Sequence, residues 1–143
     1  MSRVQVLLLQ ISIALTALTG IVFAVMKYAM KSDDPFSVVN HPMQPAMLAI
    51  HVVIAPIAVF AFGWAFGNHM WPSANSEVDK KRPTGVWSMI SVAPMVLSGY
   101  LLQVSTADSL RKAMAVAHWV TSAFFVVVFV IHVLWRKPTT PSS

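Results

Sequence analysis

The sequence predicts an all-α integral membrane fold, a four-helix bundle of two helical hairpins with both termini on the same side of the bilayer. Three observations predict it. Only 10% of residues are charged and 57% are hydrophobic, where a water-soluble domain carries about 25% charged residues. Four uncharged stretches, at about 4–26, 45–69, 85–104 and 113–135, each suffice to cross a bilayer, which takes about 20 residues. The connections at 27–44, 70–84 and 105–112 are too short for a soluble domain, so residues 1–143 read as a single membrane domain.

The first span follows Arg3, as the core of a signal peptide would, and residues 14–20 are mostly small enough for a peptidase. Its apolar stretch exceeds the usual signal core of about 7–15 residues, so a retained helix is expected. The second span carries His51 and His69, together with Pro56, Gly63 and Gly67. The third has no histidine but carries Leu97-Ser98-Gly99, echoing Leu18-Thr19-Gly20 late in the first. The fourth carries His118 and His132. Each histidine-bearing helix thus follows one with a late hydroxyl-glycine pair, a weak repeat of the kind seen in parallel-repeat membrane proteins.

Charges flank the spans. Arg3, Lys80, Lys81, Arg82, Arg136 and Lys137 share one side, and Lys27, Lys31, Arg111 and Lys112 the other. Six against four favours cytoplasmic termini. Trp71, Trp87 and Trp135 belong to the terminal-side interface, and Tyr28, Tyr100 and Trp119 lie nearer the opposite one. The net charge of +5 has no basic run beyond Lys80-Lys81-Arg82, so topology and lipid headgroups explain it better than nucleic acid.

A ring nitrogen in hydrocarbon is costly and marks function. His118 and His132 are fourteen residues apart, hence about 40° apart in azimuth and about 21 Å along an ideal helix. His51 and His69 are eighteen apart, which is five turns on one face and about 27 Å. If each hairpin is antiparallel, the second and fourth spans run parallel. His51 then lies level with His118, and His69 with His132. Two parallel helices facing across a bundle provide the opposed axial nitrogens that haem iron needs.

Two haems are therefore expected, with His51 and His118 as ligands of one and His69 and His132 of the other. The 6 Å difference in ligand spacing requires tilt or distortion near Pro56, Gly63 and Gly67, about 20° of tilt being ordinary. Gly20 and Gly99 fall at the level of His51 and His118, where a flat ring can approach the backbone; Gly63 and Gly67 offer the same nearer the other haem. Lys27, Lys31, Arg111 and Lys112 are available to propionates at one site, and Arg82, Arg136 and Lys137 at the other. With no cysteine in the chain, disulfides, thiolate metal sites and covalent haem attachment are excluded. Met47, Met89 and Met114 read as packing residues.

The stretch His41-Pro42-Met43-Gln44-Pro45, then His51, Ala55-Pro56 and Gly67-Asn68-His69, resembles bacterial four-helix diheme cytochrome b-type membrane subunits. So do Leu97-Ser98-Gly99-Tyr100-Leu101-Leu102-Gln103 and His118-Trp119 with His132. The resemblance covers most of the chain beyond residue 40. It implies two haem b groups in a bacterial inner membrane and electron exchange with quinone or a partner redox protein, such as a c-type cytochrome. The wider spacing of His51 and His69 departs from the respiratory cytochrome b pattern.

A quinone site is expected among His41, Asp33, Asp34 and Asp108, whose side chains can accept and relay protons released by quinol. Glu77 and Asp79 offer acids on the other side, beside Lys80–Arg82 partners. Contact with a partner subunit is the competing role for the first four. Two other functions compete with electron transfer as a whole: a histidine-lined transporter for divalent metals, and a cofactor-free structural subunit. The spans contain no Asp or Glu, which a metal transporter would mix with imidazoles.

Overall fold

The structure is a computed structural model that describes residues 2–72 and 83–134. It is all-helical there, and four helices are long and apolar enough to cross a membrane. The chain divides into two units, 1–71 and 72–143. Each contains one helical hairpin. In the first, α1 (Arg3–Ala24) packs on α2 (Gln44–Ala65); in the second, α3 (Pro83–Val104) packs on α4 (Asp108–Leu134).

Local chemistry sets the helix starts. Ser2 caps α1 reciprocally: its hydroxyl accepts from the Gln5 N–H at 3.2 Å, and the Gln5 side chain accepts from the Ser2 N–H at 2.9 Å. This satisfies two amides that the first turn would leave unbonded. Before α2, His41 Nδ1 accepts from the Met43 N–H at 3.1 Å and its carbonyl from the Gln44 N–H at 3.0 Å. Pro45 then occupies the first turn, where its missing N–H removes no intrahelical bond. Asp108 opens α4, its carboxylate favoured by the N-terminal end of the helix dipole.

The helix therefore begins five residues before the expected position 113, and Arg111 and Lys112 lie on it rather than in the loop. Charge marks where the apolar span begins, not where helical hydrogen bonding does. The third helix likewise begins at Pro83, two residues early. Lys80, Lys81, Arg82, Glu77, Asp79, Trp135, Arg136 and Lys137 lie outside the described residues.

Both helices of the first hairpin end in a π turn, at Val25–Ala29 and Phe66–Met70. There the backbone bonds five residues back: Met30 N–H to the Val25 carbonyl, and Trp71 N–H to the Phe66 carbonyl. These turns extend α1 beyond the expected limit of 26, so that Lys27 is helical. They also place the distortion of the second span at Phe66–Met70, which includes Gly67, while the α-helix continues through Pro56. The loop at 30–43 is built by its own side chains. Asp34 accepts from the Phe36 N–H at 2.9 Å, and the Asn40 amide donates to the Lys27 carbonyl at 2.6 Å.

Small and hydroxyl residues dominate the buried positions. Ser12, Ala24, Ala61, Ala65, Ser88, Ser91 and Ser98 are all buried. Small residues let helix backbones approach closely, which is the main source of helix association in an apolar medium. Buried hydroxyls need acceptors there, and these bond back to their own helices. Ser12 donates to the Leu9 carbonyl at 3.2 Å, Ser88 to Thr84 at 2.9 Å and Ser91 to Ser88 at 3.0 Å. In the second hairpin, Trp87 of α3 meets Phe124 of α4 edge to face, with ring centroids 6.3 Å apart. Leu7 and Val53, by contrast, are exposed and suited to lipid.

Ala65 is 1% exposed, so Ala65→Leu should destabilise the fold by about 1–3 kcal/mol through overpacking. Exposed Leu7→Ala should change stability by less than about 1 kcal/mol. Thermal unfolding of the two variants in detergent, followed by circular dichroism, measures the contrast.

Candidate functional site

His51 sits two turns into α2, and its imidazole lies against α1. Nδ1 is 3.0 Å from the Thr16 carbonyl oxygen and 3.2 Å from Thr19 Oγ1. A carbonyl cannot donate, so Nδ1 carries the proton. The Thr19 hydroxyl reaches the Leu15 and Thr16 carbonyls at 2.9 and 3.0 Å, which directs its hydrogen into its own helix and its lone pairs to the imidazole. Gly20 completes the cradle. A Cβ there would stand 3.0 Å from His51 Cε1 and 3.3 Å from Nδ1.

The second hairpin repeats this arrangement. His118 Nδ1 is 2.9 Å from the Met95 carbonyl oxygen and 3.4 Å from Ser98 Oγ. Ser98 in turn donates toward the Pro94 and Met95 carbonyls at 2.7 and 3.0 Å. A Cβ on Gly99 would meet His118 Cε1 at 3.1 Å. Carbonyl, hydroxyl and glycine occupy positions i, i+3 and i+4 in both hairpins: 16, 19 and 20, then 95, 98 and 99. The similarity of Leu18-Thr19-Gly20 and Leu97-Ser98-Gly99 thus serves one structural purpose, holding a histidine of the following helix by Nδ1.

A third cradle lies further along the second hairpin. Thr84 Oγ1 is 2.9 Å from His132 Nδ1, and a Cβ on Gly85 would meet His132 Cε1 at 3.3 Å. It is fourteen residues from the second on both helices, from 98 to 84 on α3 and from 118 to 132 on α4. That equal spacing is what two antiparallel helices require, and it holds both histidines on one side of the hairpin. Gly85 was not among the residues singled out from sequence. Its signal was available: Thr84-Gly85 precedes Ser98-Gly99 by the spacing that separates the two histidines.

His69 is placed differently. It lies in the π turn Phe66–Met70 and is exposed, while His51, His118 and His132 are half-buried. A π turn rotates and advances the chain less per residue than an α-helix does, and such turns recur at functional sites. The ideal-helix separation of His51 and His69 is therefore an overestimate. Gly63 and Gly67 each have open space where a Cβ would project.

The flat rings that approach Gly20 and Gly99 are the imidazoles themselves. The loop residues expected at a quinone site have local roles. Asp34 holds a turn and His41 caps α2, with Asp33 exposed on the same loop. Asp108 belongs to the other hairpin, in the first turn of α4. Of the cations expected at propionates, Lys27 lies over the rings of Phe23 and Tyr28, with Nζ 5.7 and 5.3 Å from their centroids. Lys31, Arg111 and Lys112 are exposed. Among the described residues no three His, Cys, Asp or Glu side chains gather as a metal-binding cluster.

Nitrogen-15 spectra of histidine-labelled protein should report Nδ1-protonated imidazoles for His51 and His118. Thr19→Val should preserve that form at His51, because the Thr16 carbonyl remains. Gly20→Leu should abolish it by pushing the ring off α1, and an unchanged His51 spectrum would contradict the contact.

Comparison with known proteins adds no relative: no family model, curated protein or solved structure matches the chain.

Proposed function

We propose that the chain is a b-type cytochrome subunit that carries electrons between the quinone pool and a partner redox protein. Two non-covalent haem b groups would be held by His51, His118, His69 and His132. The observation that carries this reading is the repeated Nδ1 cradle. Metal-bound histidines donate their other ring N–H to a carbonyl or comparable acceptor, which fixes the tautomer and raises ligand basicity. With Nδ1 protonated at His51 and His118, the lone pair of each ring resides on Nε2, the atom through which coordination would run.

These residues fit haem better than a bare divalent ion. Structural and catalytic sites for zinc take three or four protein ligands, and calcium takes more. Haem supplies four equatorial nitrogens itself and asks the protein for two. Bound haem would contribute a one-electron iron couple, tuned by axial ligands, hydrogen bonding and burial. The chain's own residues orient the imidazoles and fix the ring protons, while an apolar surround limits water. Open space beside Gly63 and Gly67 supports the approach of a flat macrocycle to α2. Lys31, Arg111 and Lys112 are the described cations available to propionates. A cofactor-free structural subunit would have no need to seat three histidines on hydroxyl-glycine pairs.

The pairing read from sequence depth is His51 with His118, and His69 with His132. Membrane location accords with the four apolar helices. Cytoplasmic termini rest on the distribution of basic residues, and a bacterial inner membrane on the resemblance to bacterial cytochrome b-type subunits. Quinone exchange near His41, Asp33, Asp34 and Asp108 belongs to the same proposal.

Purified protein reduced with dithionite should show a broadened or split b-type α band, with about two haems per chain by pyridine haemochrome. His51→Leu and His118→Leu should remove the same spectral component, leaving about one haem. Loss of different components overturns the pairing, and a haem-free wild type overturns the cytochrome reading.

Reduction by a soluble quinol analogue tests the loop. Asp33→Asn should slow it by at least several-fold with both haems retained. His41→Ala should slow it too and weaken the start of α2. An unchanged rate in both variants places quinol oxidation elsewhere or in a partner.

A further inference from the structure

The connection between α1 and α2 carries the most exposed large apolar side chains among the described residues. Phe36 is 91% exposed and Val38 is 98% exposed. Neither belongs to a membrane-spanning helix, so lipid tails around a span do not account for them. Their backbone is nonetheless ordered by its own bonds. The N–H groups of Asp34, Phe36, Ser37, Val39 and Asn40 all find acceptors within residues 32–44, at 2.9 to 3.3 Å. The Asn40 side chain then closes the loop onto the end of α1, through the Lys27 carbonyl at 2.6 Å.

We infer that Phe36 and Val38 insert into the boundary between headgroups and acyl chains of the bilayer that the chain spans, so that phospholipid is the partner of this surface. The inference stands apart from the haem reading. Height along the membrane normal identifies the partner. Residues 4–26 carry no charge and make about 34 Å of helix, against a hydrocarbon core of about 30 Å. Lys27 therefore stands at the boundary, and the bond to its carbonyl keeps Asn40 there. Val38 is two residues from Asn40 and Phe36 is four. Even a fully extended chain holds them within about 7 and 14 Å of it, beside a headgroup layer about 5–7 Å deep. Lipid already occupies that depth, and apolar side chains that enter it gain by leaving water.

Charge and hydrogen bonding agree with that placement. Lys31, Asp33 and Asp34 are confined to the start of the loop, whereas residues 35–44 contain no Asp, Glu, Lys or Arg and lead directly into the apolar α2. Irregular chain is kept out of lipid by the cost of unpaired amides, and here the amides around Phe36 and Val38 are already paired. Insertion makes the loop an anchor. Its charged start stays in water while residues 36–38 descend, so the α1–α2 hairpin resists both withdrawal from the membrane and deeper entry, as interfacial anchors do.

The chain has no cysteine, so single nitroxide labels can be attached to the full chain at Phe36→Cys, Val38→Cys and Asp33→Cys. Each labelled protein is reconstituted alone in vesicles of phosphatidylcholine and phosphatidylglycerol. Collision of the label is then measured with oxygen, which concentrates in lipid, and with a water-soluble nickel chelate. Labels at 36 and 38 should meet nickel several-fold less often than the label at 33, and oxygen more often. Phe36→Asp, added to Val38→Cys, should restore nickel access at 38. No change there would assign the insertion to the label itself and overturn the inference. Nickel access at 36 and 38 equal to that at 33 would also overturn it, leaving the loop to a water-borne partner. So would labels shielded from both reagents, the result expected if a second copy of the chain covers the loop.

Discussion

The bond from an imidazole Nδ1–H to a main-chain carbonyl of the neighbouring helix is the interaction on which each hairpin is organised. Water is absent from the hydrocarbon region, so a ring nitrogen there must find its partner within the chain. A helix carbonyl already accepts from the amide four residues on, but its oxygen has a second lone pair. The Thr16 and Met95 carbonyls offer that second site to His51 and His118. The same scarcity of partners accounts for the serines and threonines, whose hydroxyls turn back onto their own helices. At Thr19 and Ser98 the two solutions join, because a hydroxyl that donates backward presents its oxygen forward.

Glycine determines how close the two helices can come at that bond. A side chain at Gly20, Gly99 or Gly85 would bring a carbon to between 3.0 and 3.3 Å of an imidazole carbon, and the imidazole would have to withdraw. The cradles of His51 and His118 are compound devices: the glycine gives the ring a flat bed, the carbonyl fixes its proton beside the hydroxyl, and the spacing of i, i+3 and i+4 puts all three on one helical face. The repeat of fourteen residues in the second hairpin extends that face along the helix pair. In the first hairpin it stops at Gln5, Val6 and Ala65, and a different backbone geometry carries the remaining histidine.

The four spans were legible in the sequence because a bilayer excludes charge over a fixed length, and 10% charged residues leave such lengths conspicuous. Their ends were less legible. Helix bonding runs past the apolar limit, from Asp108 in α4 and through a π turn beyond residue 24 after α1. The special standing of His51, His118 and His132 was readable from depth, and part of their support from Leu-Thr-Gly and Leu-Ser-Gly. The Thr84-Gly85 cradle was concealed by its position at the span's start, where a hydroxyl and a glycine look like ordinary boundary residues. The π turn at Phe66–Met70 could not be read at all. Five-residue bonding leaves no compositional mark, and Gly67 alone suggests many local geometries.

The asymmetry between the hairpins has a chemical meaning of its own. A group that exchanges electrons with minimal movement needs ligands whose position and protonation are set beforehand by fixed dipoles. An imidazole bonded through Nδ1 and seated on glycine satisfies that condition, since neither its proton nor its plane can change without displacing a helix. His69 lies instead in the π turn Phe66–Met70, with its side chain exposed. On the proposed haem reading, the three seated imidazoles would meet that condition before any cofactor binds.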